Sequence, residues 1–231
     1  MTEDGRRGST RERILTAVLA LLEEGGTEAV TTRAVVARAG TQAPAIYRLF
    51  GDMQGLLAAA AERGFADWVD GKGSRAPADD PVDDLREGWD EAVRFGLEHP
   101  ALYRLVHASA TPSPSAEEGH DLLRAKVERA ARSGRLRVSQ EHAVTVLRAT
   151  GLGVTLTLLD DAAPDRDPDV ARIAREAAIA AITVTAAPPS AASASTAAIT
   201  LRAHLDESET LTPAERGLLG EWLDRIAASD D

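Results

Sequence analysis

Residues 32–57, TRAVVARAGTQAPAIYRLFGDMQGLL, constrain this chain more than any other stretch. Val35, Val36 and Ala39 mark the apolar side of one short helix, and Ile46, Leu49 and Phe50 repeat at helical spacing on a second. Gly40 stands between them, where the chain must reverse, and a residue without Cβ reaches the left-handed conformation such a corner uses. Two short helices joined by so tight a turn make a helix-turn-helix, for which DNA is the first partner to consider.

The remaining sequence also reads as helix. Residues 1–8, with Arg6 and Arg7, are expected as a disordered arm, and Ser9 with Glu12 forms an S-x-x-E capping box for a first helix. Its stripe of Ile14, Ala17, Val18, Leu21 and Leu22 stops at Gly25-Gly26. Thr32, with Thr31 as a substitute, is expected to cap the second helix. Either Thr41 or Gln42 caps the third, in whose first turn Pro44 fits. Asp52 caps a fourth helix that carries Leu56, Leu57, Ala60, Phe65 and Trp68 to about Val69. Asp80-Pro81, Ser139 and Asp167-Pro168 open three more, a short helix follows Pro100, and another runs from about Ala116 to Ser133. Residues 186–198, AAPPSAASASTAA, form a low-complexity linker whose second half can turn helical. A helix around Ile199 to Leu205 and one opened by Thr212-Pro213 end the chain. The fold class is therefore all-α, a three-helix N-terminal domain plus a larger helical domain. Its expected domains are 1–51, 52–186, and a linker with a helical extension over 187–231.

Composition excludes several function classes. Cysteine is absent, which removes disulfides, thiol catalysis and cysteine-ligated zinc. The five histidines include no H-E-x-x-H, and the single E-x-x-H, Glu117 to His120, is half of what a di-iron bundle needs. Gly71-Lys72-Gly73 precedes no strand and is no phosphate loop. No catalytic residue, metal site or cofactor is expected, and no enzyme. No run of eighteen apolar residues and no apolar leader in MTEDGRRGSTRER suggest a membrane span or export, so the cytoplasm is the expected compartment. The net charge of −11 divides unevenly: residues 1–50 hold seven Arg against six acidic residues, leaving −12 for the rest. That asymmetry turns the N-terminal domain toward phosphate and keeps the remainder away from it.

Three groups of side chains are candidate sites. Gln42, Ala43, Pro44, Ala45 and Arg48 give the third helix a small, smooth face with one amide and one guanidinium, suited to adenine and guanine edges. Trp89, Phe95, His99, Tyr103 and His107 gather aromatic character in a chain with only 3% Phe, Trp and Tyr, as a small-molecule cavity would. Val144, Leu147, Gly151 and Val154 on the eighth helix, with Ile173, Ala177, Ala180 and Ala181 on the ninth, are expected to form a two-fold dimer interface.

The pattern Thr32, Val36-Ala37, Ala39-Gly40, Ile46-Tyr47-Arg48, Phe50 and Leu56-Leu57 resembles the N-terminal domain of the tetracycline-repressor (TetR) family, over about the first sixty residues. The resemblance implies that Tyr47 touches phosphate. Thr32, Arg33 and Thr41 join it as backbone contacts, with Arg6 and Arg7 from the arm. Two positions depart from the family pattern: Gln42 stands where a capping serine is common, and Met53 where a lysine usually meets phosphate. The amides that begin the fourth helix are expected to hold phosphate in its place. The implied protein is a homodimeric transcriptional regulator, most often a repressor, on a palindromic double-stranded operator. It is released by a small-molecule effector of unspecified chemistry. The competing reading is an effector-independent helical protein–protein module.

Overall fold

Most helices in this protein begin where a side chain accepts an N–H of the first turn or where a proline removes one. The computed structural model describes residues 3–73, 77–108, 113–184, 193–208 and 210–228. It holds α1 (Glu3–Ala29), α2 (Thr32–Ala39), α3 (Ala43–Phe50), α4 (Met53–Gly73), α5 (Pro81–Glu98), α6 (Pro100–Ala108) and α7 (Pro114–Arg132). There follow α8 (Gln140–Asp160), α9 (Pro168–Ile182), α10 (Ala194–His204) and α11 (Pro213–Ala227). Among the described residues the only extended pairing is one antiparallel bridge, Leu136 with Thr183.

Most expected starts are present. Asp52 accepts from the Gly55 N–H at 2.7 Å, Asp80 from Val82 at 2.7 Å, Ser139 from His142 at 3.2 Å and Asp167 from Asp169 at 2.9 Å. Thr212 and Glu215 close a reciprocal capping box at α11. Two starts differ from expectation, those of α1 and α2. α1 begins at Glu3, so Ser9 lies inside the helix rather than at its cap, and the arm is helical from its third residue. No proline interrupts GRRGST, so nothing in that stretch stops the helix. α10 begins at Ala194, so the second half of the expected linker is helical, and the Ser193 hydroxyl accepts the Thr196 N–H at 3.1 Å. The helical run of α1 breaks as expected at Gly25 and Gly26, the latter with φ 65°.

The chain divides into two compact units, residues 1–75 with 95–120, and residues 76–94 with 121–231. In the first, Ile14, Leu15, Val18 and Leu22 of α1 bury against Val35, Ile46, Leu56 and Ala60, and Leu105 of α6 packs on the same core. α4 approaches α1 and α6 closely at Gly64, where a Cβ would stand 2.8 Å from Leu102 and 2.9 Å from Leu19. Glu62 of α4 accepts from both the backbone N–H (3.1 Å) and the hydroxyl (2.8 Å) of the buried Ser115, placing a carboxylate at the positive end of α7.

In the second unit the buried Asp84 carboxylate receives Lys126 and Arg129, fastening α5 to α7. Arg86 and Arg175 of α5 and α9 pair with Glu176 and Asp90 across those helices. The Val82 N–H, and then the Arg135 guanidinium, hold the Asp80 carboxyl below its usual range. α10 and α11 form a hairpin around Ala198, Leu205 and Leu223. His204 anchors it: its two ring nitrogens lie 3.1 Å from Glu207 and from the Arg132 carbonyl, which together raise its pKa above the ordinary imidazole value. α8 is long and apolar enough to cross a membrane by length and composition alone, but Ala143, Leu147, Val154, Leu158 and Leu159 are buried within this unit.

Candidate nucleic-acid interface

The turn between α2 and α3 is built as the sequence requires. Gly40 takes φ 59° and ψ 44°, and the Thr41 N–H reaches back to the Val36 carbonyl at 3.3 Å, closing the end of α2. The cap at the other end is Thr31, whose hydroxyl accepts from the Ala34 N–H at 3.2 Å. Thr32 is the first residue of α2, and the expectation that it caps is corrected. Only Thr31 has the extended backbone a cap needs, φ −105° and ψ 152°. The Thr32 hydroxyl, free of capping, lies 3.4 Å from the Tyr47 hydroxyl and donates to Met53 Sδ at 3.5 Å.

Gln42 is the backbone N-cap of α3, and its side chain makes no capping bond. Its amide therefore stays outside the helix, at the exposed end that Pro44 stiffens by fixing φ in the first turn. Ile46 is 0% exposed and anchors α3 to the core of the unit. On the opposite side Gln42, Pro44, Tyr47 and Arg48 are exposed, with Ala43 half-buried between them, so this face carries the expected residues together. Arg33 is exposed, and Thr32 and Thr41 are half-buried. Arg6 and Arg7 fall within the first turns of α1, and their side chains lie outside what is described. Arg11 lies over the Phe50 ring at 5.5 Å, a cation held beside the end of α3.

The start of α4 is less suited to phosphate than expected. Asp52 already occupies the Gly55 amide and adds a carboxylate there, while Met53 supplies no charge. Met53 instead packs its half-buried body on the core and turns its sulfur to Thr32. Sequence reasoning missed this meeting of Thr32, Tyr47 and Met53, which join three helices across 21 residues and share no local pattern.

Four of the five expected effector residues form one row of rings in the first unit. Phe95 lies 5.2 Å from His99 and 6.5 Å from Tyr103, and Tyr103 lies 4.3 Å from His107. Phe65 and Trp68 of α4 join the row, Trp68 stacking on Phe95 at 4.6 Å. His99 also faces Glu23 of α1 at 3.7 Å. Trp89 belongs to the second unit, where its ring lies beside Gly151, 3.6 Å from where a Cβ on that glycine would stand. Its buried indole N–H has no acceptor among the described residues.

On α8, Leu147 and Val154 are buried in the chain's own core and Val144 and Gly151 are half-buried, so these four face largely inward. The outward line of α8 is Thr145, Ala149, Gly153 and Thr157. On α9, Ile173, Ala177, Ala180 and Ala181 are all exposed, in line with Val170.

Residues 14–60 match the family of bacterial regulatory proteins called the tetR family. The HTH-type transcriptional repressor KstR of Rhodococcus jostii (strain RHA1) is 40% identical over 92 residues, which make up 40% of this chain and 43% of that protein. The match thus spans less than half the length of this curated relative. SmeT, the repressor of the Stenotrophomonas maltophilia multidrug efflux pump SmeDEF, has 26% identity and a TM-score of 0.55, over 77% of this chain and 94% of SmeT. A possible TetR family transcriptional regulator from Streptomyces coelicolor A3(2) shares the fold, with a TM-score of 0.55 and 22% identity over 94% of this chain and 98% of that one. The helix-turn-helix, with its turn glycine, buried Ile46 and exposed face on α3, lies within the residues that match the tetR family, and the all-helical fold is the one these solved relatives share.

Proposed function

We propose that this protein is a homodimeric repressor that binds a palindromic DNA operator and leaves it when a small molecule binds. The observation that carries the reading is the two-sidedness of α3: Ile46 fully buried, and Gln42, Pro44, Tyr47 and Arg48 exposed together. Gln42 and Arg48 then pair with adenine and guanine edges, while Tyr47, Thr32, Arg33 and Thr41 contact the backbone, with Arg6 and Arg7 beside them. The functional division is a DNA-binding part over 1–51, an effector and dimer part over 52–186, and an extension over 187–231. It works in the cytoplasm, where its operator is, and performs no catalysis.

The dimer reading rests on the outward sides of α8 and α9. Val170, Ile173, Ala177, Ala180 and Ala181 make an exposed apolar stripe, and the small side chains of Thr145, Ala149, Gly153 and Thr157 allow a helix to come close. Pairing both helices with their two-fold mates makes a four-helix bundle. Leu147 and Val154 support that surface from behind.

The effector reading rests on α4, which starts beside Tyr47 and ends in the ring row. A ligand that parts Trp68 or Phe65 from Phe95, with His99, Tyr103 and His107 as its polar edge, changes the tilt of α4 and with it the seat of α3. Trp89 is a separate candidate contact, since its buried N–H lacks an acceptor among the described residues, which a ligand oxygen would supply. A coupling of about 1–3 kcal/mol is ordinary for such a device.

Selection from a random-sequence duplex pool tests the DNA part of this reading. Enrichment of inverted repeats with half-sites about one helical turn, roughly 34–36 Å, apart is the expected result. A pool that stays unenriched after repeated rounds would leave the helical protein–protein module as the better reading.

A further inference from the structure

The chain contains two sulfur atoms, in Met1 and Met53, and no cysteine. Met53 is thus the single internal sulfur, and it sits at the junction of α2, α3 and α4. Its side chain is half-buried, packed on the core of the helix-turn-helix unit. Its Sδ accepts the Thr32 hydroxyl at 3.5 Å, and that hydroxyl lies 3.4 Å from the hydroxyl of Tyr47. A thioether is a weak acceptor, so in the reduced protein both hydroxyls stay available to stronger acceptors such as phosphate oxygens.

We infer that Met53 is an oxidation site that switches the DNA-binding surface, with a peroxide as the oxidant. The sulfur lone pair attacks one peroxide oxygen, an S–O bond forms as the O–O bond breaks, and the other oxygen leaves as water with both hydrogens. Sulfur loses two electrons and the peroxide gains them. The product is a polar, chiral sulfoxide in place of a flexible apolar group. Its oxygen is a strong acceptor, so Thr32 donates to it, and Tyr47 comes within reach of the same oxygen. The negative end of the S–O dipole lies where a phosphate would approach, and no lysine or arginine occupies this position to offset it. Part of the Met53 body also loses its apolar character against the core of the unit.

This inference rests on the DNA-binding reading, and the experiment separates the two. A duplex enriched by the reduced full-length chain serves as the probe, and affinity is read by fluorescence anisotropy before and after treatment with dilute hydrogen peroxide. Peptide mass spectrometry follows the 16 Da gain at Met53, with Met1 as the internal comparison. Loss of two neutral hydrogen bonds to the backbone lowers affinity on the order of tenfold. Methionine sulfoxide reductase restores it. Met53→Leu binds like the reduced protein and ignores peroxide, and Met53→Gln, a polar stand-in, is weak from the start. Full conversion of Met53 with affinity unchanged within twofold overturns the inference, as does equal peroxide sensitivity of Met53→Leu. Oxidation confined to Met1 overturns it as well. In each of these cases the reduced protein still binds the duplex, so the DNA-binding reading stands. Failure to enrich any duplex overturns both.

Discussion

Helices α3 and α9 are both two-sided, yet they turn opposite kinds of surface outward. α3 buries Ile46 and exposes Gln42, Pro44, Tyr47 and Arg48, a face of hydrogen-bonding groups on a smooth base. α9 buries Ala178, Ile179 and Ile182 and exposes Val170, Ile173, Ala177, Ala180 and Ala181, so it is apolar on both sides. Water satisfies the first face and gains from losing the second. Amphipathicity alone therefore does not tell the role of a helix. The outward chemistry separates the two helices, and it underlies the proposal of a polar duplex at one place and a copy of the chain at the other.

A charge placed on the apolar face should break this contrast most strongly. Ile173 is 60% exposed in the single chain, so Ile173→Glu leaves the protomer folded. In the proposed dimer it would bury an unpaired carboxylate, at a cost of about 3–5 kcal/mol. Light scattering at micromolar concentration is expected to show monomer, and binding to a palindromic duplex to weaken with it. A variant that stays dimeric would remove α9 from the interface.

A smaller effect is expected on the polar face. Arg48→Ala should cost about 1–3 kcal/mol and relax sequence preference at one base pair, measured by comparing matched and singly substituted duplexes. Equal weakening on every duplex would make Arg48 a phosphate contact rather than a base reader.

The smallest effect belongs to the support beneath that face. Thr31→Ala removes the cap of α2 and should lower stability by about 1 kcal/mol, read as a shift of the urea midpoint. Thr32→Ala should leave that midpoint nearly unchanged, because the hydroxyl of Thr32 faces Tyr47 and Met53 instead of capping. The reverse ranking would restore Thr32 as the cap.

These residues also show how far the sequence could be read. The turn at Gly40, the caps at Asp52, Asp80, Ser139, Asp167 and Thr212, and the break at Gly25-Gly26 were legible because each depends on residues within one or two turns of itself. A cap needs a short polar side chain two or three residues before the N–H it serves, and a corner needs a residue that tolerates positive φ. The exposed face of α3 was legible too, since Ile46 fixes which side of an eight-residue helix is buried.

Other features were decided only by tertiary packing. Thr31 and Thr32 are the same residue type, and which one caps depends on the backbone angle at which the chain leaves α1. Leu147 and Val154 belong to a helix apolar on several sides. Neighbouring helices, and not periodicity, turn them inward and leave Thr145, Ala149, Gly153 and Thr157 outside. Trp89 and Phe95 lie six residues apart on α5, yet each joins a different compact unit. Glu62 and Ser115 are 53 residues apart, and the carboxylate finds the start of α7 only once α4 and α7 are packed. Local chemistry sets where helices start and stop, because those interactions span a few residues. Which side of each helix faces in is set by burial against partners distant in sequence, and no window of the chain contains both members of such a contact.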